Sequence, residues 1–162
     1  MRKAQSWVFE YIISFLIFLG LLFLAFNILT DSGEGSDYYS VKKEADFVSE
    51  VLLSEGMPSD WDHLNFVLPG LLSDGRVDVY KLEELRRINY NRLKSGLGVT
   101  NEFVVFFEND SGLMDVNGCY WGFEINNCDD FLSQISYGDL SLTKRVVVLE
   151  SQIVKMGVAS WN

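Results

Sequence analysis

The chain has 162 residues, 48% of them hydrophobic, and carries 13 Lys and Arg against 23 Asp and Glu for a formal net charge of −10. Such an acidic balance repels phosphate backbones and argues against nucleic-acid binding. Two cysteines and one histidine leave little material for a zinc centre, and no CxxC pair is present.

The first thirty residues set the organisation. Met1-Arg2-Lys3-Ala4 form a short basic leader, Glu10 stands at the edge of an apolar run, and Tyr11 to Leu29 hold no charge. About 20 residues at about 1.5 Å each cross a hydrocarbon core, so the run predicts a membrane-spanning helix. Arg2 and Lys3 lie before it, and Asp31, Glu34 and Asp37 follow it. The positive-inside rule then puts the N-terminus in the cytoplasm and the rest outside, as a single-pass membrane protein. A cleaved secretory signal is the competing reading, although its apolar region is shorter and ends in a small-x-small site.

Residues 31–36 (Asp-Ser-Gly-Glu-Gly-Ser) read as a linker. Residues 37–162 then form one extracellular domain, and from Asp31 onward only 11 bases stand against 22 acids once Arg2, Lys3 and Glu10 are set aside. Val41, Ala45, Val48 and Leu52 recur at helical spacing, with Gly56 as a stop before Pro58. The stretches around Trp61 and Leu68-Pro69-Gly70 read as loops pinned by buried anchors. Asp78 predicts a helix cap, Leu82, Leu85 and Ile88 share a face, and a further helix runs from Tyr90 to a stop at Gly96 or Gly98. From Glu102 the texture is that of strands. They comprise Phe103 to Phe107, a turn at Asn109-Asp110-Ser111-Gly112, Leu113 to Val116, Cys119 to Ile125, and a hairpin of Lys144 to Glu150 with Ile153 to Trp161. Helices followed by consecutive strands predict an α+β domain with a mainly antiparallel sheet.

Chemistry-bearing residues are sparse. Cys119 and Cys128, nine positions apart, could face each other across a hairpin and pair in an oxidising exterior; two buried free thiols are the other reading. Asn109-Asp110-Ser111 satisfies the glycosylation rule at a turn placed outside the membrane. Asp60, Asp62 and His63 could approach a divalent cation, but the stretch lacks the glycine and downstream glutamate of a calcium loop, so a surface loop is the expectation. Asp129-Asp130 suit a helix cap before Phe131 better than catalysis. There is no Gly-x-Ser-x-Gly elbow, phosphate-binding glycine loop or His-Glu-x-x-His pair, and no enzyme or cofactor is expected. Tyr38, Tyr39, Tyr120 and Trp121 suit either a contact surface or core packing.

Lys3-Ala4-Gln5, Glu10 and the apolar run beyond it resemble the type IV pilin-like proteins of archaea, whose leaders are short, basic and followed by glutamine. The resemblance implies cleavage between Ala4 and Gln5 by a prepilin peptidase on the cytoplasmic side. It leaves residues 5–30 as a transmembrane or assembly helix, with membrane lipid and other pilin-like subunits as partners. In a filament Glu10 would meet the α-amino group of a neighbouring subunit; at the end of a simple span it would reach the headgroup layer instead. The family commonly has its glutamate fifth in the mature chain, whereas cleavage after Ala4 makes Glu10 the sixth. Cleavage after Gln5 restores that register and gives up the glutamine. A weaker likeness to uncharacterised archaeal pilin-like ectodomains lies in the Gly56-x-Pro58-x-x-Trp61 loop, the region of Leu71 and Lys81, and the Lys144-Arg145-Val146 strand ending near Val158 and Trp161.

Overall fold

A computed structural model describes residues 2–31, 35–116, 118–125, 128 and 131–162. Two compact units divide it, residues 1–36 and 37–162. Within the first, α1 (Arg2–Asp31) is a single helix of 30 residues. The eighteen side chains from Glu10 to Asn27 are long and apolar enough as a stretch to cross a membrane, and none of them is buried.

Most of the second unit is an α+β domain. Helix α2 (Gly35–Leu52) leads into a long loop, the small hairpin of β1 (Leu72–Ser73) and β2 (Arg76–Val77), and then α3 (Val79–Arg87) and α4 (Tyr90–Leu97). The first of the last two starts at Asp78 as predicted, and the second starts on a cap at Asn89. The Asp78 side chain accepts the Tyr80 N–H and the Asn89 side chain accepts the Asn91 N–H, which satisfies donors that no helical carbonyl can reach. Strands β3 (Glu102–Asn109), β4 (Gly112–Leu113), β5 (Tyr120–Gly122), β6 (Leu140–Leu149) and β7 (Gln152–Trp161) complete the chain, with a 3-10 turn at Phe131–Ser133.

The sheet runs in the order β1-β2-β6-β7-β3-β4, with β5 also on β3. Every pairing is antiparallel except that of β2 with β6, which consists of Val77 beside Leu149. The sheet is therefore mixed, though mainly antiparallel. The two long closing strands begin earlier than the apolar run suggests, because Leu140 to Thr143 pair with Trp161 to Val158. By contrast, the expected strand over Cys119 to Ile125 contracts to Tyr120–Gly122, since only Tyr120, Trp121 and Gly122 reach β3.

Alternation on β3 builds two cores, as the period of 2 requires. Phe103, Val105 and Phe107 face the helices with Leu82, Leu85, Leu93, Met156 and Val158. Val104 and Phe106 face the other way, where Phe131, Ala159 and Trp161 join them under Tyr120, Phe123, Ile125 and Ile135. The segment between β5 and β6 thus covers the second sheet face, and Cys128 within it stands at disulfide distance from Cys119, just before β5, their Cα atoms 5.4 Å apart. They do not oppose each other across a hairpin, because Cys128 lies beyond β5. Asp129 and Asp130, expected as a cap, lie outside the described residues, as does the Ser32 to Glu34 part of the expected linker.

Close approach requires a glycine at position 157. A Cβ there would stand 2.4 Å from the Phe106 ring, because the far edge of that ring sits against the β7 backbone. Gly157→Ala is expected to destabilise the domain by about 1–3 kcal/mol through overpacking, measured by urea unfolding, with the disulfide retained in both proteins.

Candidate functional site

The sequence singles out residues in three places, and the structure does not gather them. Ala4 and Gln5 lie in the first turns of α1, and Glu10 is an exposed position farther along the same helix. Ser14 Oγ donates to the Glu10 carbonyl at 2.9 Å and Asn27 Nδ2 to that of Phe23 at 2.9 Å. These two polar side chains of the run therefore bond their own helix, which lowers the cost of placing them in hydrocarbon. From Tyr11 to Phe26, thirteen large apolar residues are exposed. An apolar surface of that extent requires cover by lipid or by other protein.

Asp60, Asp62 and His63 sit in the loop between α2 and β1, and each is directed to a structural partner or to solvent. Asp62 Oδ1 accepts the N–H groups of Leu64 and Asn65, both at 2.8 Å, and those two bonds hold its carboxyl below the ordinary aspartate range. The His63 backbone N–H and ring Nδ1 both reach Glu84 Oε2, at 3.0 and 2.6 Å, and Arg87 donates to Oε1 at 2.7 Å. Asp60 is exposed. The three therefore form an anchored loop, in line with the expectation of a surface loop. Among the described residues the one donor cluster close enough for an ion is Asp115 with Cys119 and Cys128. Both of its sulfur atoms are committed to each other, and Asp115 accepts the Gly118 N–H, so it is a structural knot.

The buried Trp61 anchor is the kind that the sequence leads one to expect, whereas the cations Lys81 and Arg92 carry no anchoring signal there. Lys81 is buried on α3 and donates to the carbonyls of Glu55 and Leu72, both at 2.7 Å, tying down the two ends of the loop. Trp61 Nε1 donates to the Gly70 carbonyl at 2.7 Å. Gly70 passes so close to the chain that a Cβ would meet Gly56 N at 2.2 Å. Arg92 on α4 donates to the carbonyls of His63 and Leu64 and stacks on the Phe66 ring. A charged residue on a helix looks solvent-facing in sequence; only its tertiary partners reveal it as a loop anchor.

Elsewhere, Tyr90 donates to Glu102 and accepts the Phe103 N–H, while Lys94 donates to the same carboxylate at 2.7 Å. Burial, then the Glu102 contact, pushes the Tyr90 hydroxyl upward. For Glu102 burial acts upward, but the Lys94 and Tyr90 hydrogen bonds outweigh it and lower the carboxyl. These groups hold α4 to the start of β3. An open cleft of about 500 Å³ lies beside them, lined by Arg87, Tyr90, Tyr120, Trp121, Phe123 and Glu124 among others, and contains no paired nucleophile and base among the described residues. Asn109 is exposed at the end of β3, where its Oδ1 accepts the Ser111 N–H at 2.8 Å. Trp121 is buried and Tyr120 partly so, whereas Tyr38 and Tyr39 are exposed on α2.

Comparison with family models, curated proteins and solved structures finds no match to the chain.

Glu84 provides a pH test of the anchored loop. The His63 backbone N–H, then the His63 side chain, then Arg87 lower its carboxyl, against an upward push from burial. A depressed native pKa stabilises the fold at pH above the unfolded value, and that contribution is lost as pH falls through the native one. Glu84→Gln is expected to cost about 1–3 kcal/mol at neutral pH and to flatten the acid limb of the stability curve, read by chemical unfolding across pH.

Proposed function

We propose that this chain is a structural subunit, major or minor, of an archaeal type IV pilus-like surface assembly. In this reading a bilayer holds it by α1 until a prepilin peptidase cuts between Ala4 and Gln5. The observation that carries the reading is the unburied apolar surface of α1 from Tyr11 to Phe26, next to the Lys3-Ala4-Gln5 leader. A helix of that kind has two physical fates: lipid, or packing against like helices. Moving from one to the other exchanges apolar contact for apolar contact, so side-chain fit and polar contacts set the outcome. Glu10 would supply such a contact through a neighbour's α-amino group, and Gly20, where an added Cβ meets nothing within 4 Å, leaves room for close approach. Asn109 would accept a glycan on the outer surface.

A second reading is favoured by one observation, the position of Glu10 six residues after the proposed cut instead of five. In it the chain stays permanently anchored as a single-pass surface protein that binds a ligand or partner and never polymerises.

The two readings separate at the N-terminus. Mass spectrometry of the protein made alongside an archaeal prepilin peptidase is expected to show a chain beginning at Gln5, and Ala4→Leu is expected to leave it uncut. An intact N-terminus in the unaltered protein would rule out processing and leave the permanent anchor.

A further inference from the structure

The element that follows the apolar helix carries a surface of its own. On α2 the positions Val41, Ala45, Val48 and Leu52 are buried in the domain. Around the rest of the helix Tyr38, Tyr39 and Phe47 are exposed, at 48%, 69% and 42%, with the exposed lysines Lys42 and Lys43 between them in sequence. Aromatic side chains with an apolar body and a polar tip, interleaved with long cationic stems, suit the boundary between hydrocarbon and headgroups.

Charge on the helix is sorted the same way. Glu44 is committed to the start of β3, where its carboxylate accepts from the Thr100 N–H and hydroxyl and from the Asn101 N–H. Asp46 accepts from Thr143 Oγ1 at 2.8 Å and lies 3.8 Å from Arg145. Among the described residues, no carboxylate lies within salt-bridge distance of Lys42 or Lys43. The exposed acids at the two ends, Asp37 and Glu50, flank the stripe without lying between its aromatics.

We infer that the Tyr38, Tyr39, Lys42, Lys43 and Phe47 stripe rests on the phosphate-bearing headgroup layer of the bilayer, so that the domain lies against the membrane surface. This inference rests on the membrane reading of α1. Ten residues lie between Asn27 and Tyr38, and the helical stretches among them shorten that link, so covalent reach keeps Tyr38, the first residue of the stripe, within about 25 Å of the end of the apolar stretch. The tether also answers the objection from net charge. Repulsion between an acidic domain and an anionic surface acts mainly on encounter, and a tethered domain is already there; at contact, screening over about 8–10 Å leaves the nearest charges to decide.

The test uses the full chain in phosphatidylcholine vesicles, with and without phosphatidylglycerol, the Cys119–Cys128 pair oxidised and one spin label per protein. Labels are placed by Leu16→Cys, Tyr39→Cys and Leu64→Cys. The expected result is a label at 16 in hydrocarbon, one at 39 at headgroup depth with its access to a water-soluble relaxant reduced severalfold, and one at 64 in water. In the protein labelled at 39, Lys42→Glu with Lys43→Glu should restore that access, most strongly when phosphatidylglycerol is present. A label at 16 in hydrocarbon with 39 as accessible as 64 overturns the inference alone. A label at 16 in water overturns the membrane reading beneath it.

Discussion

Strand β7 is the constraint on which the domain depends. It is hydrogen-bonded on both sides, to β6 from Leu149 beside Gln152 through Leu140 beside Trp161, and to β3 from Glu108 beside Lys155 through Glu102 beside Trp161. A strand held on both flanks has no freedom to slip. A shift of one residue would turn Val154, Met156 and Val158 away from the helices and bring Ala159 and Trp161 into their place, exchanging the two cores. Helices on one face and the Phe131 cover on the other are both placed by this one register.

The polar interior follows from that arrangement. With helices committed to the sheet, the long loop after α2 has the Met57–Leu68 bridge and a few backbone bonds of its own, and its other backbone groups need donors and acceptors from elsewhere. Lys81, Glu84 and Arg92 supply them from α3 and α4. Charged side chains that look like a candidate centre are thereby committed to holding a loop. Among the described residues of the second unit these charged groups serve the fold, while α1, α2 and the Val146 and Ile153 positions of the sheet keep large apolar side chains exposed.

Local signals made much of this legible in the chain. Asp78, Asn109-Asp110-Ser111-Gly112 and the β-branched and aromatic run of Phe103 to Phe107 act through their nearest neighbours, so helix start, turn and strand can be read from the residues themselves. The apolar run of α1 is legible for the same reason. What escaped reading depends on distant partners: the burial of Lys81 and Glu84, the parallel contact of Val77 with Leu149, and the limit of β5 at Gly122. The hairpin of β1 and β2 is a different case. Its Asp74-Gly75 turn, with both residues at positive φ, is a strong local signal that the residues do offer, hidden only by the shortness of the strands it joins.

The turn at the other hairpin carries a consequence for assembly. Glu150 and Ser151 close β6 onto β7 with φ of 47° and 69°, a left-handed conformation that side chains resist by about 1–2 kcal/mol per residue. The Asp74-Gly75 turn is biased toward its shape by composition, yet it closes only a marginal pair of strands. The central hairpin is opposed by its own bend, and what overcomes that resistance is pairing and burial along its whole length. Its closure is therefore a collective event: the sheet draws the turn into shape.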